Sequence, residues 1–257
     1  MNWANVWRMN FNNKKCKVVK IKSSRDYIMN DLTLEMIDKA GNIHKLEESK
    51  AERDLGIYIQ NDLKWSEQIK HVCNKAYSMM GILRRTFKYW DKTTFLKLYC
   101  AHIRPHLEYC IQAWNPTYKK DIEIIERVQK RATKLVPCLK SVSYEKRLEY
   151  LGLQKLEVRR ERGDLIQYFK IQKGLNIVNW YNPNRLIIAN RPDGPSSAVR
   201  GCQHRVARQL TNCEPRKRFL SNRVVANWNK LPSEVVNSSN VLQFKSRFDE
   251  FSKVNIN

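Results

Sequence analysis

The sequence predicts an α+β fold that is mostly α. Three observations carry that expectation: short strand-length apolar runs in the first 64 residues, a change to apolar spacings of three and four from Trp65 onward, and 42% hydrophobic residues, enough to bury a core in 257 residues. The strand-like runs cover residues 16–21, 32–37 and 55–59 and are divided by Asn, Asp, Gly and Ser. Residues 1–64 therefore read as a small antiparallel β unit with incomplete edges.

From Trp65, Ile69, Val72, Cys73, Ala76, Met79, Met80 and Leu83 recur at helical spacing, which predicts a helix of about five turns with Ser66 as its cap. A second helical segment, 92–107, carries Phe95, Leu98 and Tyr99 on one stripe, and Pro105 forces a kink or break near Ile103 and Arg104. A third, 121–136, places Ile122, Ile125, Val128, Ala132 and Leu135 on one face and Lys120, Arg127, Arg131 and Lys134 largely on another. Pro137 ends it; a short helical piece begins at Tyr144, and a longer helix runs from Leu156 through Phe169 and Ile171. Residues 65–180 thus read as a helical bundle. Residues 181–218, with Pro183, Pro192, Gly194, Pro195, Gly201 and Pro215, read as a loop or linker. Residues 219–257 read as a helical extension, with a turn at Leu231-Pro232 and a last amphipathic helix bearing Val241, Phe244, Phe248 and Phe251.

Charge narrows the function. Lys and Arg number 48 against 25 Asp and Glu, a formal charge of +23. Residues 1–64 hold 12 basic and 9 acidic groups, 65–180 hold 23 and 11, and 181–257 hold 13 and 5. A folded body so basic repels itself and calls for an anionic partner, nucleic acid first and an acidic membrane surface second. With no apolar run of spanning length and no signal-peptide pattern at its start, the chain is expected to be soluble and intracellular, cytoplasmic or nuclear, and not secreted. Its seven cysteines lack any C-x-x-C pair and read as reduced thiols.

Catalytic signatures are sparse. The chain has no Asp-Asp pair, no phosphate-binding G-x-x-x-x-G-K-[ST] loop, no H-E-x-x-H and no G-x-S-x-G; its acidic doublets are Glu47-Glu48 and Asp249-Glu250. The best metal candidate is Cys100, His102, His106 and Cys110, soft enough for zinc but interrupted by Pro105, with ordinary packed side chains as the other reading. Cys202, His204 and Cys213 lack a fourth ligand. Basic clusters are more abundant: Arg84, Arg85 and Lys88; Lys120, Arg127, Lys130, Arg131 and Lys134; and Arg159, Arg160 and Arg162. These suit phosphate contacts, and Phe87, Tyr89 and Trp90 add rings on which unpaired bases can stack. A solvated helical face is the plain alternative for any single cluster, and no base-reading motif accompanies them.

An ordered series of motifs adds a resemblance. It comprises Asp54-Leu55-Gly56-Ile57-Tyr58-Ile59 with Leu63-Lys64-Trp65, then Ile103-Arg104-Pro105-His106-Leu107-Glu108-Tyr109-Cys110 with Trp114-Asn115-Pro116. Glu126-Arg127-Val128-Gln129-Lys130-Arg131-Ala132-Thr133-Lys134 follows, then Arg159-Arg160-Glu161-Arg162-Gly163-Asp164, and Asn222-Arg223-Val224-Val225 with Trp228-Asn229. In these the chain resembles the downstream part of a reverse transcriptase, an RNA-directed DNA polymerase, from a non-LTR (LINE-type, jockey/CR1-like) retrotransposon. The resemblance implies that residues 1–64 are a remnant of a polymerase palm, with a primer-grip hairpin around 27–37, that 65–180 are a thumb-like bundle, and that 219–257 are a C-terminal extension. It further implies that the F/Y-x-D-D aspartates and their Mg²⁺ ions belong to the complete enzyme, upstream of Met1, so this fragment holds no cofactor and is inactive alone. The expected partners are RNA, DNA or an RNA–DNA duplex, gripped by the backbone, together with the missing polymerase parts. The rival expectation is a non-catalytic module that contacts a protein or a membrane.

Overall fold

The computed structural model describes residues 6–8, 11–21, 33–37, 41–116, 118–180 and 204–254. The chain divides into two units, Met1–His71 and Val72–Asn257. It is an α+β chain dominated by helix, as the periodicities predict.

Among the described residues of the first unit, six short strands pair two by two. They are β1 (Lys17–Val18), β2 (Glu35–Ile37), β3 (Ile43–Lys45), β4 (Glu47–Glu48), β5 (Ala51–Asp54) and β6 (Ile57–Gln60). β2 and β3 are antiparallel, with Met36 opposite His44, and β5 and β6 are antiparallel, with Arg53 opposite Tyr58. The expectation of a wholly antiparallel unit is corrected at β1 and β4, which run parallel. The reason lies in the stretch 43–49: Leu46 donates its N–H to the Leu34 carbonyl (2.9 Å) and Ser49 to that of Val18 (2.8 Å), so one extended segment serves two neighbours. Leu55, expected in a strand, is instead in the β5–β6 turn, where Leu55 (φ 46°) and Gly56 (φ 87°) take the two left-handed positions of a tight hairpin. Of the expected primer-grip stretch 27–37, residues 27–32 lie outside the described residues.

Helix α1 (Ser66–Thr86) begins one residue after the predicted period change. Its cap is not Ser66. The Gln60 side chain on β6 accepts from the Ser66 hydroxyl (3.1 Å) and the Glu67 N–H (3.0 Å), supplying from a strand the acceptor that the first turn lacks.

In the second unit, α2 (Lys92–Leu98) is capped by Asp91, whose carboxylate accepts from the Thr94 N–H at 2.9 Å. The proline break expected near Ile103 is a wide turn. Residues Tyr99–Ile103 form one π turn, with the Arg104 N–H reaching the Tyr99 carbonyl, and α3 (Arg104–Glu108) continues from it. Widening the helix by one residue accommodates Pro105, which has no N–H to donate, without ending the element. Helix α4 (Lys119–Ala132) buries Ile125, Val128 and Ala132 as predicted. It is followed by 3₁₀ turns at Thr133–Leu135 and Pro137–Leu139, then α5 (Tyr144–Leu151) and α6 (Leu156–Gln172).

Gly152 closes α5 in the left-handed conformation (φ 67°), so that Leu153 donates to the Leu148 carbonyl (2.9 Å) and Gly152 to that of Glu149 (3.1 Å). A Cβ there would touch nothing within 4 Å. Gly152→Ala is therefore a pure backbone test, expected to lower stability by about 1 kcal/mol in urea unfolding, the left-handed cost less the entropy removed from the unfolded chain. No loss would show that α5 ends by another route.

The last helices are short: α7 (Glu214–Lys217), α8 (Leu220–Arg223), α9 (Val225–Trp228) and α10 (Ser233–Val236), before α11 (Val241–Val254). They do not stand apart from the bundle. Leu165, Tyr168 and Phe169 of α6 share one core with Leu220, Val224, Trp228, Val235 and Phe244. The rings of Phe169 and Phe244 stack at 4.4 Å, and Trp228 meets Tyr168 edge-on at 5.0 Å. Residues 181–203 of the expected linker lie outside the described residues. Its remainder is pinned: the Asn229 amide donates to the Val206 carbonyl and accepts its N–H, both at 3.0 Å, and Asn222 accepts from the Gln209 N–H (3.2 Å).

Candidate nucleic-acid interface

Two of the three basic clusters meet. The C-terminal ends of α1 and α4 lie beside one groove of about 710 Å³, lined by Arg84, Lys88, Arg131, Lys134 and Lys140 with Tyr77, Met80, Gly81, Phe87, Trp90, Leu135 and Pro137. Five cations and no carboxylate face it. Last-turn positions suit cations because the helix carbonyls carry partial negative charge there, and Arg84, Arg85, Lys130 and Arg131 are in the last turns of their helices. That local preference places the charge at helix ends; the approach of the two ends concentrates it.

The groove's rings are held in place. Trp90 is buried, donates its indole N–H to the Phe87 carbonyl (3.0 Å) and meets the Phe87 ring edge-on at 6.3 Å. Arg131 lies over the Tyr77 ring at 5.5 Å, a cation–π contact that tethers the guanidinium to the wall. Of the three rings expected to stack on bases, Trp90 is therefore a support, whereas Phe87 is 37% exposed and Tyr89 is 88% exposed.

The other residues of the α4 cluster spread along the helix. Arg127 and Lys130 are exposed, and the Lys130 ammonium sits over the Tyr144 ring at 5.2 Å. Lys120, also exposed, is at the far end of α4, over Tyr118 at 5.8 Å; the Arg218 guanidinium is over the same ring at 4.8 Å. Arg85 is exposed but outside the groove lining.

The third cluster, expected to meet phosphate, is corrected by its contacts. Arg159 binds Glu108 through paired hydrogen bonds, one of them Nη2 to Oε2 at 2.9 Å, which hold its own pKa above the usual guanidinium value. Arg162 grips both oxygens of Asp249, at 2.6 and 2.7 Å. Arg160 is 3% exposed; it donates to the Leu107 carbonyl (2.7 Å) and lies over the Trp114 ring at 4.4 Å, and burial pushes its pKa down to about 10. The helical period explains this: Leu156, Arg160, Asp164 and Tyr168 share the buried face of α6, so a run of charges conceals an inward stripe. Beside it, Gly163 brings α6 against Ile111, whose Cδ1 is 2.6 Å from where a Cβ would be.

Two buried polar networks link the motifs of the resemblance. In one, Asp164 accepts from Arg223 (2.7 and 2.8 Å) and from the Asn115 amide (3.3 Å), while Arg223 also donates to the Ile111 and Gln112 carbonyls, each at 3.0 Å. In the other, Glu126 accepts from the Tyr144 hydroxyl and from the Leu156 N–H (2.9 Å), capping α6, and Gln129 joins Tyr99 to Tyr144. Burial and the bond to Glu126 push the Tyr144 hydroxyl far above its usual pKa. The α4 motif thus divides in two: Glu126, Val128, Gln129, Ala132 and Thr133 build the core, while Arg127, Lys130, Arg131 and Lys134 face outward.

Among the described residues, no three His, Cys, Asp or Glu side chains gather closely enough to hold a metal ion. Cys100, His102, His106 and Cys110 are strung over the π turn, α3 and the second residue beyond it, where Cys110 has φ 53°. His106 is held below the usual imidazole pKa by burial and the charge of Lys75. Cys202 lies outside the described residues. None of the described helices is long and apolar enough to cross a membrane.

No protein-family model and no solved structure matches the chain. Over 124 residues it is 27% identical to the uncharacterized protein B0403.1 of Caenorhabditis elegans, a match covering 47% of this chain and 63% of that protein. The chain therefore spans less than two thirds of that relative's length.

Proposed function

We propose that the chain is the duplex-holding part of a non-LTR retrotransposon reverse transcriptase: palm-end strands, a thumb-like body and a C-terminal extension that grip RNA–DNA template–primer by its phosphates. The observation that carries this reading is the groove between the ends of α1 and α4, where Arg84, Lys88, Arg131, Lys134 and Lys140 face solvent with no acid among them. Phosphate recognition needs cations at fixed spacing on a rigid body and no base-reading side chains, which is what this groove offers. The motif series supports the same reading. On this reading the chain's role is to hold the duplex while the complete enzyme reacts.

The test is a titration of the full chain against RNA–DNA duplex at rising salt. About five phosphate contacts should make log K fall against log salt with a slope of about −4. A flat salt dependence, or tighter binding to anionic vesicles than to duplex, would remove the clamp.

A further inference from the structure

The groove has features that a duplex backbone leaves unused. Duplex nucleic acid presents phosphate and sugar outward and keeps its base faces stacked, so it has nothing to place on an exposed ring. Here the cations line a concave space of about 710 Å³, the size of a small-ligand site; a double helix can lay one backbone along its rim but cannot bring a base face into it. Its floor is apolar, with Met80, Leu135 and Pro137. The half-exposed Phe87 ring is braced from behind by Trp90, which is spent on that support. A braced ring is a preorganised platform, since little freedom remains to be lost when a base settles on it.

We infer that the groove also seats the first unpaired residues of a strand running on from a duplex bound at its rim, with one base stacked on Phe87 and the phosphates on either side of the junction shared among Arg84, Lys88, Lys134 and Lys140. Arg131, 5.5 Å over the Tyr77 ring, adds a guanidinium that can meet a neighbouring base. Both strand chemistries, RNA and DNA, carry the phosphates and the π-face that this site uses. The inference rests on the chain being a nucleic-acid-holding body, and the experiment separates the two.

The probes are a blunt RNA–DNA duplex and the same duplex with a short unpaired extension, made as RNA or as DNA and carrying one fluorescent adenine analogue. For the unchanged chain at fixed salt, the extension should tighten binding about tenfold, the size of one stacked base, and quench the analogue. In Phe87→Leu, which keeps apolar contact with Trp90 but removes the ring, the ratio of extended to blunt affinity should fall to about one and the quench should vanish; Phe87→Ala, checked by circular dichroism, should do the same. If blunt duplex binds and the extension adds nothing, or if the gain survives in Phe87→Leu, the inference is overturned and the clamp stands. If neither probe binds, the clamp itself fails, and the inference fails with it.

Discussion

Replacing Asp164 with alanine is expected to cost about 3–5 kcal/mol of stability, the loss typical of removing one partner from a buried ion pair. Asp164 is 4% exposed and is the carboxylate that meets Arg223 and Asn115 and offsets the charge of Arg160. Without it the buried Arg160 and the partly buried Arg223 are left with no carboxylate between them, and the charge of Arg223 disfavours the charged form of Arg160. Arg160→Met, which keeps the stem packed on Trp114 and removes one of those cations, should cost less, about 1–3 kcal/mol for the Leu107 carbonyl left unpaired. Urea unfolding followed by circular dichroism measures both. A loss under about 1 kcal/mol for Asp164→Ala would mean that water reaches the pair and that the network is not a structural centre.

That network also explains which parts of the molecule are legible in the sequence. Long helices are readable because their buried faces repeat every three to four residues: Ile69, Val72, Cys73, Ala76, Met80 and Leu83 are all buried along α1. Strands β3, β4 and β5 are not, because Ile43-His44-Lys45, Glu47-Glu48 and Ala51-Glu52-Arg53-Asp54 bury almost nothing and owe their existence to backbone pairing with their partner strands. The cap of α1 escapes a local reading for the same reason, since Gln60 reaches it through the fold and not from the helix's own first turn.

For the site, the charge run at Arg159, Arg160 and Arg162 and the run at Arg127, Lys130, Arg131 and Lys134 look alike in sequence. What separates them is whether acids stand opposite. Glu108 and Asp249 come from 51 and 87 residues away to neutralise the first run, while the groove beside the second is lined by further cations and no carboxylate. Lys140 joins the groove although it sits in no basic cluster, because the turns at Thr133–Leu135 and Pro137–Leu139 fold the chain back. Pairing between distant segments is not written in local composition, so sequence alone can weigh the charge but not divide it into bound and free.

The division can be measured with two sets of substitutions. Changing Arg84, Lys88, Arg131 and Lys134 together to alanine removes four exposed cations from the groove. At about 0.7 kcal/mol for each exposed pairing with phosphate, duplex affinity should fall on the order of a hundredfold. The log–log salt slope should flatten by about 3–4, because each phosphate left without a cation keeps its condensed counterion. Thermal stability should hardly move, since none of these four side chains carries a buried ion pair. Changing Arg159 and Arg162 to alanine removes two cations and should do the reverse, lowering the Tm by freeing Glu108 and Asp249 while leaving the salt slope unchanged. If instead the second set flattens the slope, those ion pairs open to admit phosphate and the grip lies along α6. If the first set leaves the slope intact, the groove's charge serves the helix ends alone, and the duplex is held elsewhere or not at all.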